Sequence, residues 1–151
     1  MTPDQLINGR TGKVSFKIPT QWVSESVRDE IELLAYLPGP ADEFAPNAVV
    51  TALPFDGTLD VFCLRAIDGL MGKLLKPYIV DVRLWDVPGR VIHYTHQSPE
   101  NQLRLRGCEF LSIQNGLALQ VTTTSTTSQW PVFSDLFEQI ARSTTPLEAS
   151  A

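Results

Sequence analysis

Cysteine and histidine are scarce in this sequence, with two residues of each. A structural zinc site needs a closely spaced set of such ligands, and Cys63 and Cys108 lie far apart, so the sequence does not predict one. We interpret both cysteines as buried free thiols, with a disulfide between them as an open alternative. His93 and His96 lie an odd number of residues apart in a predicted strand, which sends their side chains to opposite faces and disfavours a shared metal ion.

The sequence also lacks an excess of positive charge and any long apolar run. Its 12 lysines and arginines are outnumbered by 17 aspartates and glutamates, so we expect no nucleic-acid partner. No run reaches the roughly 18 apolar residues that a membrane-spanning helix needs. The first residues show neither a secretory signal nor a lipobox cysteine, and from this we expect a cytoplasmic protein.

Recognisable catalytic motifs are missing as well. No serine lies in a Gly-x-Ser-x-Gly elbow, and neither cysteine has the flanking sequence of an activated thiolate. Cys108, His93 and Asp81 could assemble into a triad from distant positions, although a structural role is favoured for them. Segment 9–14 resembles a phosphate loop only superficially, because it precedes a strand, and we interpret it as a turn. We therefore predict no catalytic, cofactor-binding or metal-binding residue.

Alternation of apolar and polar residues indicates a protein rich in β-strands. Asn115 and Gly116 predict a tight hairpin, and Gly107 predicts a bulge where the apolar phase slips. The predicted strands cover 14–18, 31–37, 47–53, 79–85, 90–97, 102–113 and 117–126.

Two segments show helical spacing of apolar residues instead. The first helix follows a Thr58 cap and ends before Pro77, and its Gly69 and Gly72 indicate close packing against a sheet. The second follows a Ser128 cap and extends to about Ala141. Hairpins and one-sided helices predict an α+β fold, an antiparallel sheet of about six to seven strands flanked by helices, in one domain over 1–151 with a frayed tail from about 144.

Four parts of the sequence carry a resemblance to a known family: Phe16-Lys17-Ile18-Pro19 with Trp22, then 45–50, 116–122 and 140–143. These segments resemble the Mog1/PsbP-like family, particularly its actinobacterial LpqN/LpqT branch. The wider family includes a Ran-binding nuclear transport factor and a photosystem subunit, so the resemblance implies a scaffold that often serves protein binding without chemistry. The LpqN/LpqT branch implies a lipid-anchored envelope protein, and the resemblance supplies no catalytic residue.

Acidic residues offer a possible partner surface. They could receive a basic protein, although a solvated surface is the favoured interpretation. One group contains Glu25, Asp29, Glu30 and Glu32, and the other contains Asp42 and Glu43.

The sequence thus favours a noncatalytic, cytoplasmic protein-binding or adaptor domain with an unknown partner. The first alternative is a carrier of a small apolar ligand, bound between helix and sheet among Phe62, Phe110 and Phe133. An unrecognised enzyme is the second alternative.

Overall fold

The computed structural model of this protein describes residues 1–26 and 31–147. Within these residues the chain forms ten β-strands and two α-helices. In chain order they are β1 (Gln5–Asn8), β2 (Val14–Ile18), β3 (Val23–Glu25), β4 (Ile31–Tyr36), β5 (Asn47–Pro54), α1 (Leu59–Lys73), β6 (Leu75–Trp85), β7 (Gly89–Gln97), β8 (Arg104–Gln114), β9 (Leu117–Thr126), α2 (Trp130–Ser143) and β10 (Thr145–Pro146).

The strands form two antiparallel sheets. The larger has the order β3-β4-β5-β9-β8-β7-β6, and the smaller has the order β1-β2-β10. The predicted α+β class with an antiparallel sheet and flanking helices is confirmed. In the described part of the chain, β3 and β6 are the edge strands of the larger sheet.

The strongest predicted hairpin is present between β8 and β9. Its two turn residues adopt positive φ angles, 52° at Asn115 and 74° at Gly116, which is the conformation a tight hairpin turn requires. The strands that were not predicted, β1, β3 and β10, have four, three and two residues. Such short segments contain too few residues for an alternating pattern to stand out.

Helical layers cover both faces of the larger sheet. On one face, Cys63 and Leu70 of α1 are buried against β7 and β8. On the other, Phe137 and Ile140 of α2 are buried in a larger core, which also receives Phe16 from the small sheet. A central strand covered on both faces does not need to alternate apolar and polar residues.

This double cover explains why the predicted bulge at Gly107 is wrong. The pairing of β7 with β8 continues without a shift past Gly107. The apolar pattern appears to change phase because β8 carries buried apolar residues on both faces of the sheet. The glycine has a different role. A Cβ atom at position 107 would lie 2.1 Å from Cζ of Tyr94, so Gly107 makes room for that ring.

The helix caps are predicted correctly at one of two positions. The Thr58 hydroxyl oxygen accepts a hydrogen bond of 3.2 Å from the N–H of Val61, as expected of an N-cap. At α2 the cap residue is Gln129 instead of Ser128. The Gln129 side chain links strand and loop, since it accepts from the N–H of Thr126 and donates to the carbonyl of Phe44, each at 2.9 Å.

The glycines of α1 do not pack closely against the sheet, contrary to the prediction. A Cβ atom built at Gly69 or Gly72 would meet no atom within 4 Å. Both positions therefore have open space beside them, and at Gly69 that space belongs to a cleft described below.

The beginning of the tail is a strand, although fraying was expected from about residue 144. Thr145 and Pro146 pair with β2, and the N–H of Leu147 donates to the carbonyl of Lys13 at 2.7 Å. Edge pairing of this kind supplies backbone partners that composition does not reveal. Neither helix in the described residues is long and apolar enough to cross a bilayer.

Candidate functional site

Polar side chains interrupt the sheet face beneath α1. Glu109 on β8 lies directly opposite Thr122 on β9, and Gln120 lies on the same face because strand side chains alternate. Leu70 of α1 and Leu74, which directly follows the helix, do not cover these residues completely. The uncovered space is a cleft of about 360 Å³ between helix and sheet, which we call the α1 cleft.

Glu109 lies at the floor of the α1 cleft and is 3% exposed. Burial raises the pKa of its carboxyl group to about 7, although hydrogen bonding from Gln120 and Thr122 and the charge of Lys73 act in the opposite direction. Its Oε2 atom has no hydrogen-bond partner among the described residues. A buried carboxylate oxygen without a partner is unfavourable, so this atom is a point at which a ligand or water could bind.

Two rings of β7 line the same cleft. Tyr94 and His96 are stacked, with centroids 5.8 Å apart. Burial raises the pKa of Tyr94 well above its usual value, and burial together with the charge of Arg104 lowers the pKa of His96. Both rings are therefore uncharged at neutral pH, and the charges around the cleft come from Glu109 and from the cationic residues of α1.

On the opposite face, the candidate triad residues form one row across three strands. Asp81 of β6 pairs with His93 of β7, which pairs with Cys108 of β8. The Nδ1 atom of His93 accepts a hydrogen bond of 3.2 Å from Arg106. Cys108 is fully buried, and burial strongly raises the pKa of its thiol. A buried thiol in its protonated form is a poor nucleophile, so the row fits the favoured structural role.

The two histidines and the two cysteines lie where the sequence predicted. His93 and His96 lie on opposite faces of the sheet, the first beside Trp130 and the second beside Tyr94. Cys63 and Cys108 are buried free thiols in separate cores.

A second cavity, of about 350 Å³, lies between α2 and the β6 edge. Arg142 spans part of it, with ion pairs to Asp86 at 2.7 Å and to Glu138 at 3.5 Å. Buried atoms of Asp81 and Trp85 near this cavity lack a hydrogen-bond partner in the described residues. Because this cavity is lined by both donors and acceptors, water molecules can supply the missing hydrogen bonds.

An apolar surface lies where α1 meets the β6 edge. Val82 and Leu84 of β6 share the α1 face of the sheet, since they pair with Ile92 and Arg90. Leu64 is 66% exposed and Leu84 is 78% exposed. We call Leu64, Met71, Val82 and Leu84 the apolar edge.

The helical part of the apolar edge lies on the side of α1 that is nearer β6. Asp60, Leu64 and Met71 share one side of the helix. Asp60 forms an ion pair of 3.0 Å with Arg90, the residue that pairs with Leu84. The exposed residues of helix and strand therefore face the same side of the molecule, and clustered exposed apolar residues are typical of interaction sites.

The predicted acidic surface is only partly described. Glu25 on β3 accepts a hydrogen bond of 2.9 Å from the hydroxyl of Tyr36, and Asp42 and Glu43 are exposed between β4 and β5. Asp29 and Glu30 lie outside the described residues.

Glu32, which the sequence placed with the acidic group, is not on the surface. It is 3% exposed, and its carboxylate accepts hydrogen bonds from the N–H and the hydroxyl of Thr11. The turn at 9–14 therefore binds an anion of its own chain, which agrees with its interpretation as an ordinary turn.

The three phenylalanines do not line one apolar pocket. Phe110 and Phe133 belong to the core beneath α2, whereas Phe62 packs in the core beneath α1. The sheet separates them, so this prediction is wrong.

Glu109 was not singled out by its sequence. The available signal was a carboxylate between Cys108 and Phe110, two apolar residues of β8. Its burial depends on cover of its own face of the sheet by α1, which the local sequence of β8 does not reveal.

Comparison with known proteins identifies the fold. No protein-family profile and no curated protein matches the sequence. The cyanobacterial PsbP of Synechocystis sp. PCC 6803 has a TM-score of 0.67 at 13% identity, covering 97% of this chain and 94% of its own. The Ran-binding protein Mog1p of Saccharomyces cerevisiae has a TM-score of 0.64 at 9% identity, covering 96% of both chains.

A third similar structure is LpqN, involved in cell envelope biogenesis of Mycobacterium tuberculosis, with a TM-score of 0.61 at 13% identity and coverage of 95% of this chain and 90% of its own. The described chain thus has a Mog1/PsbP-like fold. At these identities the likeness concerns the fold alone.

Proposed function

We propose that this protein is a noncatalytic binding domain that receives an extended segment of a partner protein along β6. The observation that carries the proposal is the apolar edge, because it combines an open strand with exposed apolar side chains beside it. An extended segment can add to such an edge through backbone hydrogen bonds, while its side chains fill neighbouring apolar positions.

The backbone of β6 supports this mode of binding. The strand spans Leu75–Trp85 and pairs with β7 on one side, and in residues 1–26 and 31–147 no strand pairs with its other side. Long exposed edges are commonly shortened, covered or charged, since they otherwise invite pairing with another chain. Here, irregularities between Leu75 and Tyr78 and between Ile79 and Asp81 leave 81–85 as the regular part available to a partner.

The side chains indicate the chemistry of the partner. Val82 and Leu84 offer apolar contacts on the face next to Leu64, so the partner segment should carry apolar side chains at alternate positions. Arg90 and Asp60 are already paired with each other at the border of this surface. The apolar contacts should therefore contribute most of the affinity.

The structural neighbours add general support. Mog1p is described as Ran-binding, which is a protein-binding role on this fold. For the present chain, the chemistry of the partner is inferred from the apolar side chains at the β6 edge.

The acidic residues remain a second proposed contact for a basic partner. Glu25 lies on the edge strand β3, at the far end of the sheet from β6. Six interstrand spacings of about 4.8 Å separate these edges, so one short segment does not reach both. Substitutions at the two edges can therefore be tested separately.

Membership of the LpqN/LpqT branch and the cytoplasmic location are also proposals. The likeness to LpqN and the matching segments support the first. An envelope protein and a cytoplasmic one separate in fractionated source cells, and recovery in the envelope would contradict the cytoplasmic prediction.

A crosslinking experiment tests the β6 proposal. A photoreactive residue at position 84 in the intact chain should capture a partner in source cells, and the purified partner should slow amide exchange along β6. Leu84→Lys should weaken its binding by about tenfold or more, because a charge replaces an apolar contact. Val132→Lys is the matched control, since Val132 is 75% exposed on α2.

Other outcomes contradict the proposal. Equal loss of binding in both lysine variants would indicate a nonspecific effect. Loss only in Asp42→Lys with Glu43→Lys would place the contact at the acidic surface, and concentration-dependent dimerisation with protection of β6 would identify a second copy as the occupant.

A further inference from the structure

The α1 cleft has the composition of a small-molecule site and lies apart from the apolar edge. Its volume of about 360 Å³ is within the range of ligand pockets. One wall is aliphatic and comes from α1, including Ala66 and Leu70, while the floor is polar and includes Glu109 and Gln120. A ligand for this cleft therefore needs both an apolar part and a polar group that reaches the floor.

The floor offers an unpaired acceptor. Glu109 Oε2 is buried and has no partner within the described chain, so a hydrogen-bond donor from a ligand would satisfy it. When Glu109 is ionised, phosphate and carboxylate groups would be repelled at this position. A fully apolar ligand would leave the oxygen unsatisfied, which disfavours the carrier of apolar molecules considered from the sequence.

The rim carries the opposite charge. Lys73 and Arg65 of α1 line the cleft, and neither forms an ion pair with a carboxylate of the described residues. Arg65 is held over the ring of Phe55, with Cζ 5.5 Å from its centroid. The cleft thus presents an anionic acceptor at its floor and cations at its rim.

From this charge arrangement, we infer that the α1 cleft binds a small zwitterion of the amino-acid class. Its ammonium group would donate to Glu109, its carboxylate would lie near Lys73 and Arg65, and an aliphatic side chain would contact Leu70. This inference does not depend on the proposed partner at β6, because the residues of the two surfaces are different.

Gly69 provides a direct way to close the cleft. It lines the cleft, and a Cβ atom at this position would enter open space. Gly72 lies on the same helix with equally open space but does not line the cleft. Gly69→Leu and Gly72→Leu are therefore a matched pair, in which the same side chain is added inside and outside the site.

Calorimetric titration of the full chain at pH 8 tests the inference. The probes are L-leucine, L-methionine and L-glutamine, with isopentylamine and 4-methylpentanoate as compounds that each lack one charged group. We expect at least one amino acid to bind, and its affinity to exceed that of the two single-charge compounds. Gly69→Leu should abolish the binding heat, and Gly72→Leu should retain it.

Substitution of the charged residues tests the orientation of the ligand. Glu109→Gln should reduce affinity by about tenfold or more, since it removes the charge while keeping the shape. Lys73→Gln should reduce it less, because its site is exposed to solvent. A thermal melt of each variant verifies that the fold is retained.

The pH dependence gives a further readout. Ionisation of Glu109 between pH 6 and pH 8 should increase affinity by about tenfold, and Glu109→Gln should remove this dependence. The other titratable groups facing Glu109 are Lys73, Arg65 and Cys63 from α1 and Tyr94 and His96 from β7, while β9 contributes only Gln120, Thr122 and Thr124.

Several results would overturn the inference. These are absence of binding by all three amino acids at millimolar concentration, equal binding by Gly69→Leu and the native chain, and equal binding by Glu109→Gln. Binding of 4-methylpentanoate alone would show that Glu109 does not receive an amine. The β6 crosslink would be unaffected by any of these results.

Discussion

The two helical layers of this protein are packed to different degrees. On the α2 side, the helix buries Leu136, Phe137, Ile140 and Ala141. On the α1 side, a helix of similar length buries only Cys63 and Leu70 and leaves Leu64 exposed. It lies over Glu109, whose Oε2 atom has no hydrogen-bond partner among the described residues. A helix that buries many residues contributes more to stability, whereas a helix that buries few leaves room for a ligand beside it. We therefore assign stability mainly to the α2 layer, and the proposed ligand site lies in the α1 layer.

The largest effect should come from the α2 core. Phe137 is fully buried and contacts Trp22, Trp130 and Phe133 through its ring. Phe137→Ala should lower the free energy of unfolding by about 3–5 kcal/mol, since it leaves a cavity that rigid neighbours cannot fill. Urea denaturation measures the change. Leu70→Ala is the comparison in the α1 layer, and an equal or larger loss there would contradict the difference between the layers.

The next effect concerns Glu109 and depends on pH. The folded-state pKa of about 7 exceeds the reference value of 4.5, so the folded state binds the proton more tightly. Stability from this group is complete below about pH 4.5 and is lost as pH rises through about 7, by about 3 kcal/mol. Glu109→Gln should therefore stabilise the protein at pH 8 and have little effect at pH 4.

Denaturation midpoints of the native chain and Glu109→Gln at both pH values provide the measurement. A variant that is less stable than the native chain at pH 8 would show that the carboxylate has a partner in solution. That result would also weaken the case for an open acceptor in the α1 cleft.

The smallest effect should come from the glycines of α1. Alanine at Gly69 or Gly72 should stabilise the helix by about 1 kcal/mol each, because alanine has the higher helix propensity and both Cβ atoms enter open space. Thermal denaturation measures the shift. Destabilisation by Gly69→Ala, with stabilisation by Gly72→Ala, would mean that the cleft is closed in solution and that the α1 layer packs more tightly than described.

Much of the fold was predictable because its signals are local. The alternation in β7, the turn at Asn115 and Gly116 and the Thr58 cap each depend on a few consecutive residues. Other interpretations failed because they depended on distant neighbours. Gly107 was assigned to a bulge, but it accommodates Tyr94 from the adjacent strand, and Glu32 was assigned to the surface, but it binds the turn at Thr11.

The candidate sites were much less predictable than the fold. Asp81, His93 and Cys108 were considered together, and the sheet does bring them into one row, yet burial of Cys108 removes the chemistry that their residue types suggest. Glu109 attracted no attention, because a single carboxylate in a strand does not indicate which face is covered. The apolar edge was equally hidden, since it requires the strand order that places β6 at the outside.

The amino-acid sequence by itself determined the seven longer strands, the two helices and the antiparallel class, because side-chain periodicity and turn chemistry act over short distances along the chain. Only the tertiary structure decided which strand lies at the edge, which face each helix covers and how completely. Those features arise from contacts between residues far apart in sequence. Within residues 1–26 and 31–147, they leave one edge of β6 unpaired and the buried Oε2 atom of Glu109 without a hydrogen-bond partner.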